Sequence, residues 1–162
     1  MVDKKTIVSI VEEITKKSSA PCKKTLQKIV FLIEAKGVDI GCDYGIHFFG
    51  PYSADLDYAV RELCDDGVLK IEYTSMEHKI SVVHESKDNH FLDSAIDEVI
   101  SEFAHDSASE LELIATALYV YSQVNNTEKV KLGVIKIKGA KYSETRIDSA
   151  INRLKKTGFI AA

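Results

Sequence analysis

Apolar residues recur along this chain with helical spacing in most segments and with strand spacing in one. Ile7, Ile10, Val11 and Ile14 stand at i, i+3, i+4 and i+7 among charged residues, which predicts an amphipathic helix from the N-terminus onward. A Ser-Ser-Ala-Pro turn follows, and then a second stripe of Leu26, Ile29, Val30 and Ile33 that ends at Gly37. The apolar run around Val30 to Ile33 predicts that this helix is buried on more than one side. A third stripe, Leu56, Ala59, Val60 and Leu63, starts after Ser53 as N-cap and stops at Gly67, with Asp55 and Asp57 at the positive end of the helix. Beyond it VLKIEY and KISVVH alternate in polarity around TSMEH, which predicts a β-hairpin.

The second half reads as helical. Leu92, Ile96, Val99, Ile100 and Phe103 form one stripe. Leu111, Ile114, Ala115 and Leu118 form another, with Ser109 and Glu112 as its capping box. Residues 127–139 are ambiguous. Val130, Val134 and Ile137 keep helical spacing, while β-branched residues and Gly133 weaken it. Ile147, Ala150, Ile151 and Leu154 close the series before Gly158. The expected fold is mainly α, of α+β class. A winged-helix-like half over residues 1–86, with its hairpin, packs against a helical half over 87–162 to make one unit. LDYAVRELCDDGVL and IDSAINRLKKTGFI align without gaps at an offset of 91 residues. Either the second half is a degenerate repeat of the first, or two amphipathic helices ending in glycine share a common look.

Residues 44–53, YGIHFFGPYS, are the densest aromatic stretch. Gly50 before Pro51 favours an extended, fixed turn into the helix that Ser53 caps. Tyr52 is placed to staple that helix start, and one of Phe48 and Phe49 is expected to turn into the core. His47, between Ile46 and Phe48, is expected to be a buried, hydrogen-bonded group and not a base, because no spacing supplies it with a nucleophile and an orienting acid. His84 and His90 could chelate, but no cysteine or acidic pair completes a known spacing, so no metal or cofactor is expected. No phosphate loop or hydrolase motif is present. The expectation is that the protein is not an enzyme.

Composition changes this picture only through charge. The formal net charge of −4 conceals +4 over residues 1–36, −14 over 37–126 and +6 over 127–162. Basic ends flanking an acidic middle fit attraction between segments, a basic partner for the middle, or an anionic partner for the ends. Cys22, Cys42 and Cys64 are odd in number and unpaired in pattern, with Cys64 expected as a small buried hydrophobe. With no secretory signal and no membrane-length apolar run, a cytoplasmic protein without a membrane partner is expected.

KKTLQKIVFLIEAKG followed by YGIHFFGPYSADLDYAVRELCDDGVL resembles the YwgA family of small bacterial proteins. Leu26, Gln27, Lys28, Gly50, Pro51 and Ser53 carry the structural part of that motif, together with His47, Phe48 and Tyr52. The family is in turn similar to Panacea or SocA-like antitoxin domains, which have a comparable Leu-Gln-Lys helix and Gly-Pro turn. That second resemblance implies binding to another protein, as an antitoxin or as an adaptor presenting a target to a protease. The expected function is therefore a protein-interaction module. Its candidate contact residues are His47, Phe49, Tyr52, Asp65 and Asp66, and self-association is compatible with it. The alternative is a winged-helix DNA-binding regulator. Helix 53–66 has five acids against Arg61, so phosphate contacts would have to come from Lys141, Arg146, Arg153, Lys155 and Lys156, helped by Lys129, Lys131, Lys136 and Lys138.

Overall fold

A computed structural model of the chain describes residues 1–85 and 92–161. His90 lies outside the described residues. Among them the order is α1 (Lys4–Lys17), α2 (Lys23–Ala35), β1 (Gly45–His47), β2 (Gly50–Tyr52), α3 (Ala54–Asp65), β3 (Leu69–Tyr73), β4 (His78–Val82), α4 (Ser94–Phe103), α5 (Ala108–Val124), α6 (Thr127–Lys138) and α7 (Glu144–Lys156). The fold is mainly α, with two small antiparallel hairpins, as the apolar spacing predicts.

The stripes read from the sequence are the buried faces. Ile7, Ile10, Val11 and Ile14 of α1 are at most 1% exposed, and so are Leu26, Ile29, Val30 and Ile33 of α2. Burial on more than one side of α2 extends to Leu32, Gln27 and Lys28. The most enclosed helix is α5, buried continuously from Leu111 to Leu118, which is the pattern of a helix surrounded by others. It packs against α2, α6, α7 and β2. One continuous apolar core includes side chains from α1 through Ile160.

The helix ends follow local chemistry. Ser53 caps α3 by accepting the Leu56 amide, 3.3 Å. Gly67 and Gly158, both at positive φ, terminate α3 and α7 in the same way: Val68 N donates to Leu63 O and Phe159 N to Leu154 O, each 2.9 Å. The capping box expected at Ser109 and Glu112 is not formed. Ser107 is the N-cap of α5 and accepts the Glu110 amide, 3.1 Å. The cap therefore sits two residues earlier, and Glu112 is left free to turn inward. The ambiguous segment 127–139 is helix α6. Its Gly133 is required by packing, since a Cβ there would lie 2.4 Å from Val120 Cγ1 of α5. Cys64 is only half-buried, at the rim of the core and not inside it.

Two connections position the site. The β3–β4 hairpin reaches back across the start of α2, where Ile80 N donates to Pro21 O, 2.8 Å, and Lys79 bridges Cys22. At the other end of α2, Glu34 Oε1 accepts the amides of Ile40 and Cys42, 2.9 and 3.0 Å, and so steers the chain into the β1–β2 hairpin.

Candidate functional site: a lysine-flanked aromatic groove

The Leu-Gln-Lys helix and the Gly-Pro-Tyr-Ser turn hold each other. The carboxamide of Gln27 takes both backbone groups of Ser53. Its Nε2 donates to Ser53 O, 2.9 Å, and its Oε1 accepts Ser53 N, 2.8 Å. One turn on, Lys28 Nζ donates to Pro51 O, 2.6 Å. All four residues are buried, so these hydrogen bonds have no competition from water. Gly50 sits at φ +94°, and a Cβ on it would come within 2.9 Å of Thr116 Oγ1 and 3.4 Å of Glu112 Cγ. Glycine is needed there both for conformation and for the close approach of β2 to α5.

With the base of the hairpin fixed, its tip is thrust outward. His47 pairs with Gly50 across a two-residue turn formed by Phe48 and Phe49. Neither phenylalanine enters the core. Phe48 is 81% and Phe49 42% exposed, and their rings meet edge to face at 4.9 Å. The expectation that one would be buried rested on simple strand alternation, which a turn at this point interrupts. His47 is likewise exposed and not buried, with its ring 4.7 Å from that of Tyr52.

Between this hairpin, α2 and α3 lies a groove of about 370 Å³. Leu26, Leu56, Val60 and Ile80 give it an apolar floor, and His47, Phe49 and Tyr52 form an aromatic wall. Lys23, Lys24 and Lys28 line it from α2, and Asp57 is the one acid in the lining. Lys24 Nζ sits 3.6 Å from the Phe49 ring centroid, a cation–π contact that props the hairpin tip from one side. From the other side Lys138 Nζ donates to Phe48 O, 2.7 Å.

Behind the groove stands Glu112. It is 5% exposed and gathers Lys141 at 2.7 Å, Lys138 at 3.4 Å and the Tyr142 hydroxyl. Burial alone would raise its carboxyl, but the hydrogen bonds from Lys141 and Tyr142 and the charge of Lys138 hold it below the usual range. Burial pushes Tyr142 upward, and its hydrogen bond to Glu112 adds to the shift. Lys28 is 2% exposed. Burial lowers its pKa to about 8; Glu112 pulls the other way, while Lys138 and Lys24 add repulsion. Tyr52 is raised by burial first and then by Asp57.

His47, Phe49 and Tyr52 therefore converge on one groove. Asp65 and Asp66 do not. They are exposed at the far end of α3, eight and nine residues past Asp57, about 12–14 Å along the helix, and they do not line the groove. Three of the five candidate basic residues of the second half are engaged by acids. Lys141 is bound to Glu112 and Arg146 to Glu110. Arg153 reaches Asp106 at 2.6 Å and Glu102 at 3.2 Å. Lys131 pairs with Asp148 at 3.2 Å. Lys155 and Lys156 form no ion pair among the described residues.

Sequence reasoning gave Glu112 a capping role it does not have, and missed Tyr142 and the grouping of Lys23 and Lys24 with the aromatics. A signal existed for each acid or base. A lone glutamate inside the apolar run LELIATAL needs buried partners, and two lysines in the first turn of a helix oppose its dipole. Among the described residues no helix is long and apolar enough to cross a membrane. No three His, Cys, Asp or Glu side chains among them are grouped to hold a metal ion.

No family model matches the chain. A curated relative does: over 141 residues the chain is 29% identical to the uncharacterized protein YwgA of Bacillus subtilis, covering 80% of this chain and 82% of that protein. That likeness, running well beyond the Leu-Gln-Lys and Gly-Pro-Tyr-Ser segments that first suggested it, makes this chain YwgA-like.

Proposed function

We propose that the protein is a non-enzymatic interaction module of the cytoplasm, and that it contacts another protein through the groove and the Phe48–Phe49 tip. One observation carries this reading: two phenylalanine rings are held out in solvent, beside an apolar groove, by a hairpin that four buried hydrogen-bonding residues fix from beneath. Exposing such rings is unfavourable for an isolated domain, and a rigid aromatic anchor next to a pocket is what interface hot spots use. An antitoxin- or adaptor-like role, as the Panacea resemblance implies, is the specific form we favour. The three unbridged cysteines accord with a reducing compartment.

The DNA-binding alternative draws support from the order of α2, α3 and the β3–β4 hairpin, which is what a winged-helix unit presents. Its charges argue against it. Lys141, Arg146 and Arg153 are engaged by carboxylates, and the hairpin lysines Lys70 and Lys79 pair with Glu72 and Glu77. Phosphates would have to displace those acids while α3 repels them.

The test is site-directed photo-cross-linking in producing cells, with benzoylphenylalanine in place of Phe48 and, as a control, of Met76 on the other hairpin. The expected result is one recurrent polypeptide joined at position 48 and absent at 76. Its purified form should bind the wild type at least tenfold more tightly than the Phe49→Ala/Tyr52→Ala variant. Cross-links to nucleic acid, or equal affinity for both proteins, would refute the reading.

A further inference from the structure

Granting that the groove is the contact surface, we propose that its occupant is a partner segment in which a large apolar side chain is followed closely by carboxylates.

Shape sets the first half of that pattern. A space of about 370 Å³ with a floor of leucine, valine and isoleucine holds one or two large side chains and not a folded surface. The aromatic wall suits a leucine or a phenylalanine, which would also cover part of the exposed Phe49 ring.

Charge sets the second half. Three lysines line the groove against one aspartate, and that aspartate is already engaged, 3.0 Å from Arg61. Elsewhere in the basic ends Lys4, Lys17, Lys131, Lys138, Lys141, Arg146 and Arg153 form ion pairs, while others, Lys155 and Lys156 among them, stand without one among the described residues but line no part of this groove. Among the described residues Lys23, Lys24 and Lys28 form none. The Lys28 ammonium has three donors and uses one, on Pro51 O. Lys23 and Lys24 also occupy the first turn of α2, where the helix dipole repels them. The other helices have an acid at the cap or in the first turn, as with Asp3 of α1, Asp55 of α3 and Glu144 of α7. Helix α2 has Cys22 as its cap and no acid in that turn. A carboxylate delivered by a ligand supplies the missing counter-charge to the lysines and the dipole together.

The surroundings favour a short acidic peptide over a polyanion. Asp57 stands on the α3 side of the groove, so a strand of phosphates running along it would meet repulsion that one or two carboxylates placed at α2 avoid.

A positional-scanning library of fluorescein-labelled heptapeptides, read by fluorescence anisotropy with the purified chain, tests this. Leucine or phenylalanine followed within two positions by aspartate or glutamate should be enriched at least fivefold over the library mean. The best such peptide should bind at least tenfold more tightly than its Asn/Gln counterpart, and lose affinity between about 50 and 200 mM salt. Lys24→Gln, an exposed substitution that leaves the core intact, should weaken it severalfold, while Asp65→Lys/Asp66→Lys should change it less than twofold. Enrichment of basic residues, or no enrichment, overturns the proposal, and so does equal binding of the amide counterpart. Displacement of the peptide by phenylacetate at peptide-like affinity would also overturn it, because the pocket would then be one for small acids. A protein cross-linked at position 48 together with a failed library would keep the contact surface and reject this chemistry.

Discussion

Replacing Gln27 with alanine tests how the motif works. The carboxamide of Gln27 is hydrogen-bonded to both the N–H and the C=O of Ser53, at 2.8 and 2.9 Å, and Ser53 is 0% exposed. Truncation strands one buried donor and one buried acceptor. Each stranded group costs about 1–3 kcal/mol, so the pair costs about 2–6 kcal/mol. Total stability of a domain is about 5–15 kcal/mol, which makes this a large fraction. At about 2–4 °C per kcal/mol for a chain of this size, the melting temperature should fall by at least about 4 °C. Urea unfolding followed by far-ultraviolet circular dichroism gives the free energy directly. Lys136→Ala, an exposed change on α6, is the control and should stay within about 0.5 kcal/mol. Hydrogen exchange supplies the second readout: the amides of residues 45–53 should lose protection before those of α5. A loss under about 1 kcal/mol, with hairpin protection unchanged, would refute the claim that Gln27 holds the hairpin.

Four further outcomes follow from the same geometry. Gly50→Ala sets a Cβ 2.9 Å from Thr116 Oγ1 at φ +94° and should cost about 1–3 kcal/mol in urea unfolding; adding Thr116→Ala should recover only part, because the backbone strain persists. Gly133→Ala drives a Cβ to 2.4 Å from Val120 Cγ1 and should cost about 1–3 kcal/mol, which a double-mutant cycle with Val120→Ala should largely cancel. The pKa of Lys28 falls from 10.5 unfolded to about 8 folded, so between those values the unfolded chain binds more protons and stability rises with pH; wild type minus Lys28→Met, compared between pH 8 and about 9 by urea unfolding, should show that rise, since the opposing contribution of Cys42, pushed up from 9.0 to about 11, is common to both proteins and cancels. Arg153→Glu breaks the contacts to Asp106 and Glu102 and should lower the melting temperature by several degrees, whereas Lys155→Glu/Lys156→Glu should leave it nearly unchanged and alter no binding to duplex DNA in an electrophoretic shift assay.

Periodicity located the helices because each buries one stripe, and burial is what an apolar stripe reports. Leu56, Ala59, Val60 and Leu63 lie under α3 just as their spacing requires. Periodicity is silent where packing overrides propensity. Gly133 looks like a helix breaker until Val120 is seen against it, and that contact joins residues 13 apart in sequence. The hairpin was half legible. Gly50 and Pro51 mark a turn, but the turn is used to push Phe48 and Phe49 out, while strand alternation would have drawn one of them in. Glu112 was misread because a capping box needs only a serine and a glutamate three apart, and Ser107 with Glu110 satisfies it as well as Ser109 with Glu112. Choosing between them takes the knowledge that Lys138, Lys141 and Tyr142 converge on one of the two, which no local pattern encodes.

The charge asymmetry has the same non-local origin, and it bears on the groove. Basic ends and an acidic middle pair across the fold: Lys4 with Glu62, Lys17 with Asp97, Arg146 with Glu110, Arg153 with Asp106. Attraction between segments of this kind accounts for part of the charge asymmetry without a partner. Among the cations that the internal pairing leaves over, three are grouped on one site. Lys23, Lys24 and Lys28 remain on one flank of α2, two of them at its repelling end and one taken out of water. Lys28 is too deep to be a solubilising charge, and its contact with Pro51 O could be made by a neutral donor at far lower desolvation cost. Its charge is offset in part by Glu112 behind it, and on its other side it lines the aromatic groove.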